Sequence, residues 1–105
     1  MANDTFKALA HPIRRDIVER LSGGAATVGD ATRDLGVSKP TVSRHLKILE
    51  QAGVVSRVID GRTHRLSLQP DALADPAEWI EKQRTRWERL FAVVGVYLEE
   101  RKEDE

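Results

Sequence analysis

The stretch that decides the fold runs from Thr27 to Gly53, TVGDATRDLGVSKPTVSRHLKILEQAG. Thr27 with Asp30 three residues on resembles a capping box, aspartate replacing the usual glutamate. A helix is therefore expected from there to about Leu35. Gly36 supplies the left-handed conformation at which helices stop. Ser38 is a second N-cap, and Pro40 falls in the first turn of the next helix, where its missing N–H does no harm. That helix is expected over residues 39–52, ending at Gly53. A short helix, a tight turn and a longer helix is the arrangement that lays one helix in the major groove of DNA.

On a helical wheel at about 100° per residue, the second helix has two sides. Val42, His45, Leu46, Leu49 and Ala52 gather on one, suited to a core. Pro40, Arg44, Lys47 and Gln51 gather on the other, flanked by Thr41 and Ser43. Arginine and lysine contact guanine edges or phosphates, hydroxyls do either, and glutamine pairs with adenine. Ser38, Lys39, Pro40, Thr41, Ser43, Arg44, His45, Lys47 and Gln51 are thus the candidate DNA contacts of this helix. His45 lies between the two sides, so a structural hydrogen bond and a phosphate contact both stay open.

Two extended runs follow, Val54–Ile59 and Thr63–Leu68, joined around Asp60-Gly61. An Asp-Gly pair between such runs signals a hairpin. His64, Leu66 and Leu68 share one face of the second run, and Thr63, Arg65 and Ser67 the other. Arg57, Arg62 and Arg65 make the ribbon basic, and contact with phosphates or an adjacent minor groove is its natural use. Arg62 and Thr63 join the candidate contacts.

Upstream, Asn3 or Asp4 is placed to cap a short helix containing Phe6 and Leu9. His11 and Pro12 mark the start of another. In that helix Ile13, Ile17, Val18 and Leu21 form one apolar face, and Gly23-Gly24 ends it. Downstream, residues 69–75 read as a linker, and Asp75-Pro76-Ala77-Glu78 as a helix start. The last helix is expected over 76–101, with a frayed tail. Trp79, Ile80, Gln83, Trp87, Leu90, Phe91, Val94, Tyr97 and Leu98 fall within an arc of about 120° on its wheel. Such a stripe is longer than one small domain needs, and it is rich in aromatics, as interface centres are. Trp79, Ile80, Trp87, Leu90, Phe91, Val94 and Leu98 are accordingly expected to pair two copies of the chain.

The 105 residues fit one domain, 1–105, made of a DNA-binding core over 1–68 and a dimerisation helix over 76–101. The expected class is mainly α with a small β-hairpin wing, α+β, a winged helix-turn-helix. Net charge is zero, yet residues 1–66 carry 11 Lys/Arg against 7 Asp/Glu, and residues 67–105 carry 6 against 10. The asymmetry of +4 and −4 marks a basic working end and an acidic, solvating one. With no cysteine, disulfides and thiolate metal sites are excluded. His11, His45 and His64 have no metal-ligand spacing, and no metal or cofactor is expected. No apolar run approaches the roughly 18 residues of a membrane span, and MANDTFKALAHP lacks the order of a secretory signal. A cytoplasmic protein without membrane contact is expected. An enzyme is disfavoured: there is no cysteine nucleophile, no glycine-rich phosphate loop and no histidine–carboxylate constellation.

The runs LAHPIRRDIVERL, LGVSKPTVSRHLKILEQAGVV and DGRTHRLSL closely resemble the ArsR-type winged helix-turn-helix repressors, over about residues 5–68. The resemblance implies a homodimer that binds an inverted-repeat operator in double-stranded DNA and represses transcription, typically released by an inducer. It places Ser38, Thr41, Ser43, Arg44 and His45 in the recognition helix and Arg62 at the wing tip. Many members sense metals through a cysteine pair in the preceding helix, or bind zinc between terminal helices through histidine and acidic ligands. Here TVGDATRDL has neither cysteine nor histidine, and the terminal helix has no histidine. The chain therefore resembles a branch without metal-sensing ligands, and no inducer chemistry is written in its residues. The alternative to a plain repressor is a DNA-binding module that answers to a small molecule or a protein partner.

Overall fold

The fold begins with two short helices clasped end to end. The computed structural model describes residues 2–103. α1 spans Ala2–Leu9 and α2 Pro12–Leu21. Asn3 and Asp4, expected as caps, lie within the first turn of α1 because the helix already starts at Ala2. The cap of α2 is His11, whose Nδ1 accepts the Ile13 N–H at 3.1 Å. Arginines from α2 reach back to the end of α1: Arg14 donates to the carbonyls of Ala8 (2.7 Å) and Lys7 (3.0 Å), and Arg15 to that of Leu9 (2.9 Å). Those carbonyls have no partner inside α1 and carry the negative end of its dipole, so cations suit them.

β1 (Ala26–Thr27) leads into α3 (Val28–Ala31), which is capped by Thr27 as expected, its Oγ1 accepting the Asp30 N–H at 3.1 Å. The reciprocal half of the capping box is missing, because the Asp30 carboxylate pairs with Arg33 at 2.8 Å. α3 also stops short of Leu35. Asp34 takes a left-handed φ of 55° and Gly36 one of 75°, so the chain turns twice before α4. α4 (Lys39–Gln51) is capped by Ser38 on the Thr41 N–H at 3.3 Å.

β2 (Val55–Asp60) and β3 (Thr63–Leu68) form the hairpin. Asp60 pairs with Thr63, which leaves Gly61 and Arg62 as the turn. Gly61 has φ 60°, the value a tight two-residue hairpin demands of its first turn position. The expected two-stranded ribbon gains a third strand: β1 pairs with β3 through Ala26↔Leu66 and Thr27↔Arg65, in the order β1-β3-β2.

The core lies where α1, α2 and α4 meet this sheet. Ala8, Ile17, Leu21, Ala31, Leu46, Leu49, Val54, Val55 and Leu66 are buried there, with Ile13, Val18 and Val42 packed at its edge. Each fully buried leucine or isoleucine contributes about 1.5–3 kcal/mol relative to exposure, so α4 is fixed from within by Leu46 and Leu49.

A 3₁₀ turn (Pro70–Leu73) occupies the expected linker, and α5 runs from Ala74 to Glu103. The expected cap Asp75 therefore sits inside its first turn, and Lys102, expected to fray, is helical. α5 touches the body near its start. Trp79 packs edge-on against Phe6 at 5.8 Å, and Thr5 donates to the carbonyl of Ala72 at 3.3 Å. From residue 86 to 102 every side chain is exposed, and the molecule measures 74 Å along one axis against 27 and 22 Å. Among the described residues, no helix is long and apolar enough to cross a membrane.

Candidate nucleic-acid interface

The outward side of α4 is built by elimination. Leu46 and Leu49 are committed to the core, so Arg44, Lys47 and Gln51, each two positions and about 200° round the wheel from one of them, face outward. Ser38, Lys39, Pro40, Ser43, Arg44, Lys47 and Gln51 are all exposed, and Thr41 is half-buried. The hydroxyls of Ser38 and Thr41 lie 2.9 Å apart, which orders both at the N-terminal end of the helix.

His45 departs from the expected set. It is 8 % exposed and faces inward. Arg14 Nη1 donates to its Nδ1 at 3.1 Å, and the His11 ring lies 4.4 Å away, tilted by 46°. The reason is geometric: the His45 ring is packed between the Arg14 guanidinium and the His11 imidazole, where α4 meets the start of α2. His45 is corrected from a candidate DNA contact to an internal one. Burial first, then neighbouring His11, Arg14 and Arg44, hold its pKa below the ordinary 6.5.

Arg62 and Thr63 are exposed at the hairpin tip. They line a cleft of about 410 Å³ with Thr27, Val28, Gly29 and Arg57. Val28 and Gly29 also line a cleft of about 760 Å³ with Ser38, Lys39 and Ser43. The start of α3 thus lies between the N-terminal end of α4 and the wing tip, and both border the same stretch of surface.

The cations of the three strands and the first four helices divide into two groups. Arg20 is tied to Asp16, Arg33 to Asp30 and Arg57 to Glu50, while Arg14 and Arg15 cap α1. Among the described residues, Lys39, Arg44, Lys47, Arg62 and Arg65 make no ion pair. Apart from Lys7 on α1, which is exposed and without an ion pair among the described residues, the cations left for a polyanion stand on the outward side of α4 and on the wing. Arg57, counted with the basic ribbon from the sequence, is withdrawn from it. Nothing local in the sequence marks that withdrawal, since Glu50 belongs to another element.

Such a helix beside such a wing defines a DNA-binding protein of the winged helix-turn-helix class. Comparison with known proteins agrees. Residues 9–58 match a family profile described as a helix-turn-helix domain. The chain is 41% identical over 78 residues to the transcriptional repressor SdpR of Bacillus subtilis (strain 168), covering 74% of this chain and 87% of that protein. It is 46% identical over 69 residues to an HTH-type transcriptional regulator of Mycobacterium tuberculosis, covering 66% of this chain and 64% of that one. Among solved structures, an ArsR family transcriptional regulator superposes with TM-score 0.76 at 30% identity, over 82% of this chain and 94% of that one. An ArsR-like regulator from Rhodococcus sp. RHA1 gives 0.70 at 26% identity, over 89% and 88%. The chain belongs to the ArsR family of winged helix-turn-helix transcriptional regulators.

Proposed function

We propose that this DNA-binding repressor acts as a cytoplasmic homodimer that reads an inverted repeat. α4 enters the major groove through Ser38, Lys39, Thr41, Ser43, Arg44, Lys47 and Gln51, and Arg62 and Thr63 at the wing tip meet the flanking backbone. One observation carries this reading: apart from Lys7 on α1, the ion-pair-free cations of the core collect on α4 and the wing, while the others are tied internally. A single helix specifies few base pairs, so two copies are needed, with half-site centres about 10 base pairs apart. The uncovered stripe of α5 supports self-pairing: Trp87 is 61 % exposed and Phe91 69 %, where water should not meet aromatic side chains. The test is a titration of the chain against its own upstream region beside random DNA at two salt concentrations. Preference retained at higher salt supports base readout, because the non-specific part falls steeply with salt. Equal affinity for both duplexes overturns it.

A second reading adds release by a small apolar molecule. A cleft of about 270 Å³ on α5, lined by Trp79, Ile80, Gln83, Arg84 and Trp87, supports it. A naphthalene-type probe that quenches tryptophan fluorescence and lowers DNA affinity together is the expected result. Quenching without effect on DNA removes this reading.

A further inference from the structure

We propose that Arg14 and His45 are positioning residues for DNA binding: they form a joint that sets the attitude of α4 against α1 and α2, and the joint closes only while the His45 imidazole is uncharged. The inference rests on α4 being the DNA-facing helix and goes beyond it, to what holds that helix in place.

The joint is one guanidinium with three acceptors. Arg14 Nε and Nη2 bind the Ala8 and Lys7 carbonyls at the end of α1, and Nη1 reaches His45 Nδ1 on α4. A guanidinium only donates. His45 Nδ1 must therefore accept, and its proton must sit on Nε2. His11 closes the other side, its own Nδ1 occupied by the Ile13 N–H. α1, α2 and α4 are thus pinned at one point, immediately beside exposed Arg44.

Protonation of His45 puts an N–H against an N–H and a cation against a cation. The titratable and charged groups that face the ring are His11, the cap of α2, Arg14 from α2 and Arg44 from its own helix. From α1 come the two carbonyls; the side chains of Asp4 and Lys7 lie by Ile48 and Gln51, one turn further on. No carboxylate is among the groups that act on the ring, so nothing compensates the new charge. With its pKa held below 6.5, the folded protein takes up this proton less readily than the unfolded chain. The anchorage is complete above that value and is lost as pH falls below it.

The sign separates this joint from ordinary electrostatics. Added positive charge beside a polyanion tightens binding; an opened joint loosens it. The experiment measures affinity of the full chain for its upstream duplex at about pH 7.5 and about pH 5.5, at fixed ionic strength, with circular dichroism confirming that the chain is folded at both. Wild type is expected to weaken on acidification, by less than the about ten-fold that an imidazole of ordinary pKa would give over this interval. His45→Asn, which keeps an acceptor near the Nδ1 position and does not titrate, should bind within about three-fold of wild type at the higher pH and stay flat. His11 and His64 are intact in both proteins, so the difference between the two is assigned to position 45. A wild type that binds equally or better in acid overturns the joint, as does His45→Asn weakening like wild type. Should His45→Asn fail to fold, the wild-type imidazole decides: nitrogen NMR showing the proton on Nε2 supports the joint, and a proton on Nδ1 overturns it. Arg44→Ala runs alongside. If it binds like wild type, the assignment of α4 to DNA fails, and that failure is separate from the pH response of His45.

Discussion

Arg57 on β2 directs both Nε, at 2.9 Å, and Nη2 to a single oxygen, Oε1 of Glu50, on the last turn of α4. Its remaining nitrogen, Nη1, donates to His64 Nδ1 at 3.0 Å. The pair is about 30% exposed, 29% and 30% for the two side chains, so water screens it only in part. The root of the wing is thereby fastened to the helix it accompanies. Glu50→Gln keeps the shape and removes the charge. It should cost about 1 kcal/mol in urea unfolding and blur hydroxyl-radical protection under the wing while leaving the α4 footprint sharp. Unchanged wing protection would show that β2 needs no such tether.

Arg44 and Arg62 should fail in different ways. Arg44→Ala is expected to cost about 1–3 kcal/mol of specific binding and to relax preference at one base pair of each half-site. Arg62→Ala should weaken specific and random duplexes alike and reduce the slope of log affinity against log salt by about 1 per site. Isotherms at several salt concentrations separate the two.

Leu49 and Gln51 stand two residues apart on one helix, with the first fully buried and the second exposed. Leu49→Ala should lose about 2–5 kcal/mol through lost burial and a residual cavity. Gln51→Ala should change stability by no more than about 0.5 kcal/mol. Chemical denaturation measures both, and similar losses at the two sites would contradict the orientation of α4.

Phe91→Asp is a test of self-pairing that spares the fold, because Phe91 is 69 % exposed in the single chain. Sedimentation should show a dimer for wild type and a monomer for the variant. Thermal unfolding of the variant should become independent of protein concentration, and its operator affinity should fall toward that of random DNA. A wild-type monomer at micromolar concentration would refute the pairing.

What was legible in the sequence was what local chemistry specifies. Ser38, Pro40 and Gly53 bracket α4, and the observed helix ends one residue before the expected limit. The strand Thr63–Leu68 appears with the expected bounds and the expected inward face. What escaped depends on partners far along the chain. β1 is two residues long and exists only because Leu66 and Arg65 lie beside it. α3 is shortened by a left-handed Asp34, a conformation that composition does not announce. His45 sits on the border of its wheel, and what turns it inward is Arg14, 31 positions earlier. Arg57 reads as a free cation until Glu50 is seen across from it. The candidate site was therefore visible as a set of exposed residue types, whereas the interactions that orient it were not.

The helical rod at the end of the chain also bears on the order of synthesis. Every element of the sheet and of the α2–α4 core precedes Gln69, so the reading head can close while α5 is still being made. α1 is the exception: Thr5 and Phe6 await Ala72 and Trp79. A nascent polypeptide thus closes its reading head first, with α1 already held to α2 through Ala8 and Lys7, and adds the contacts of Thr5 and Phe6 to the stem last.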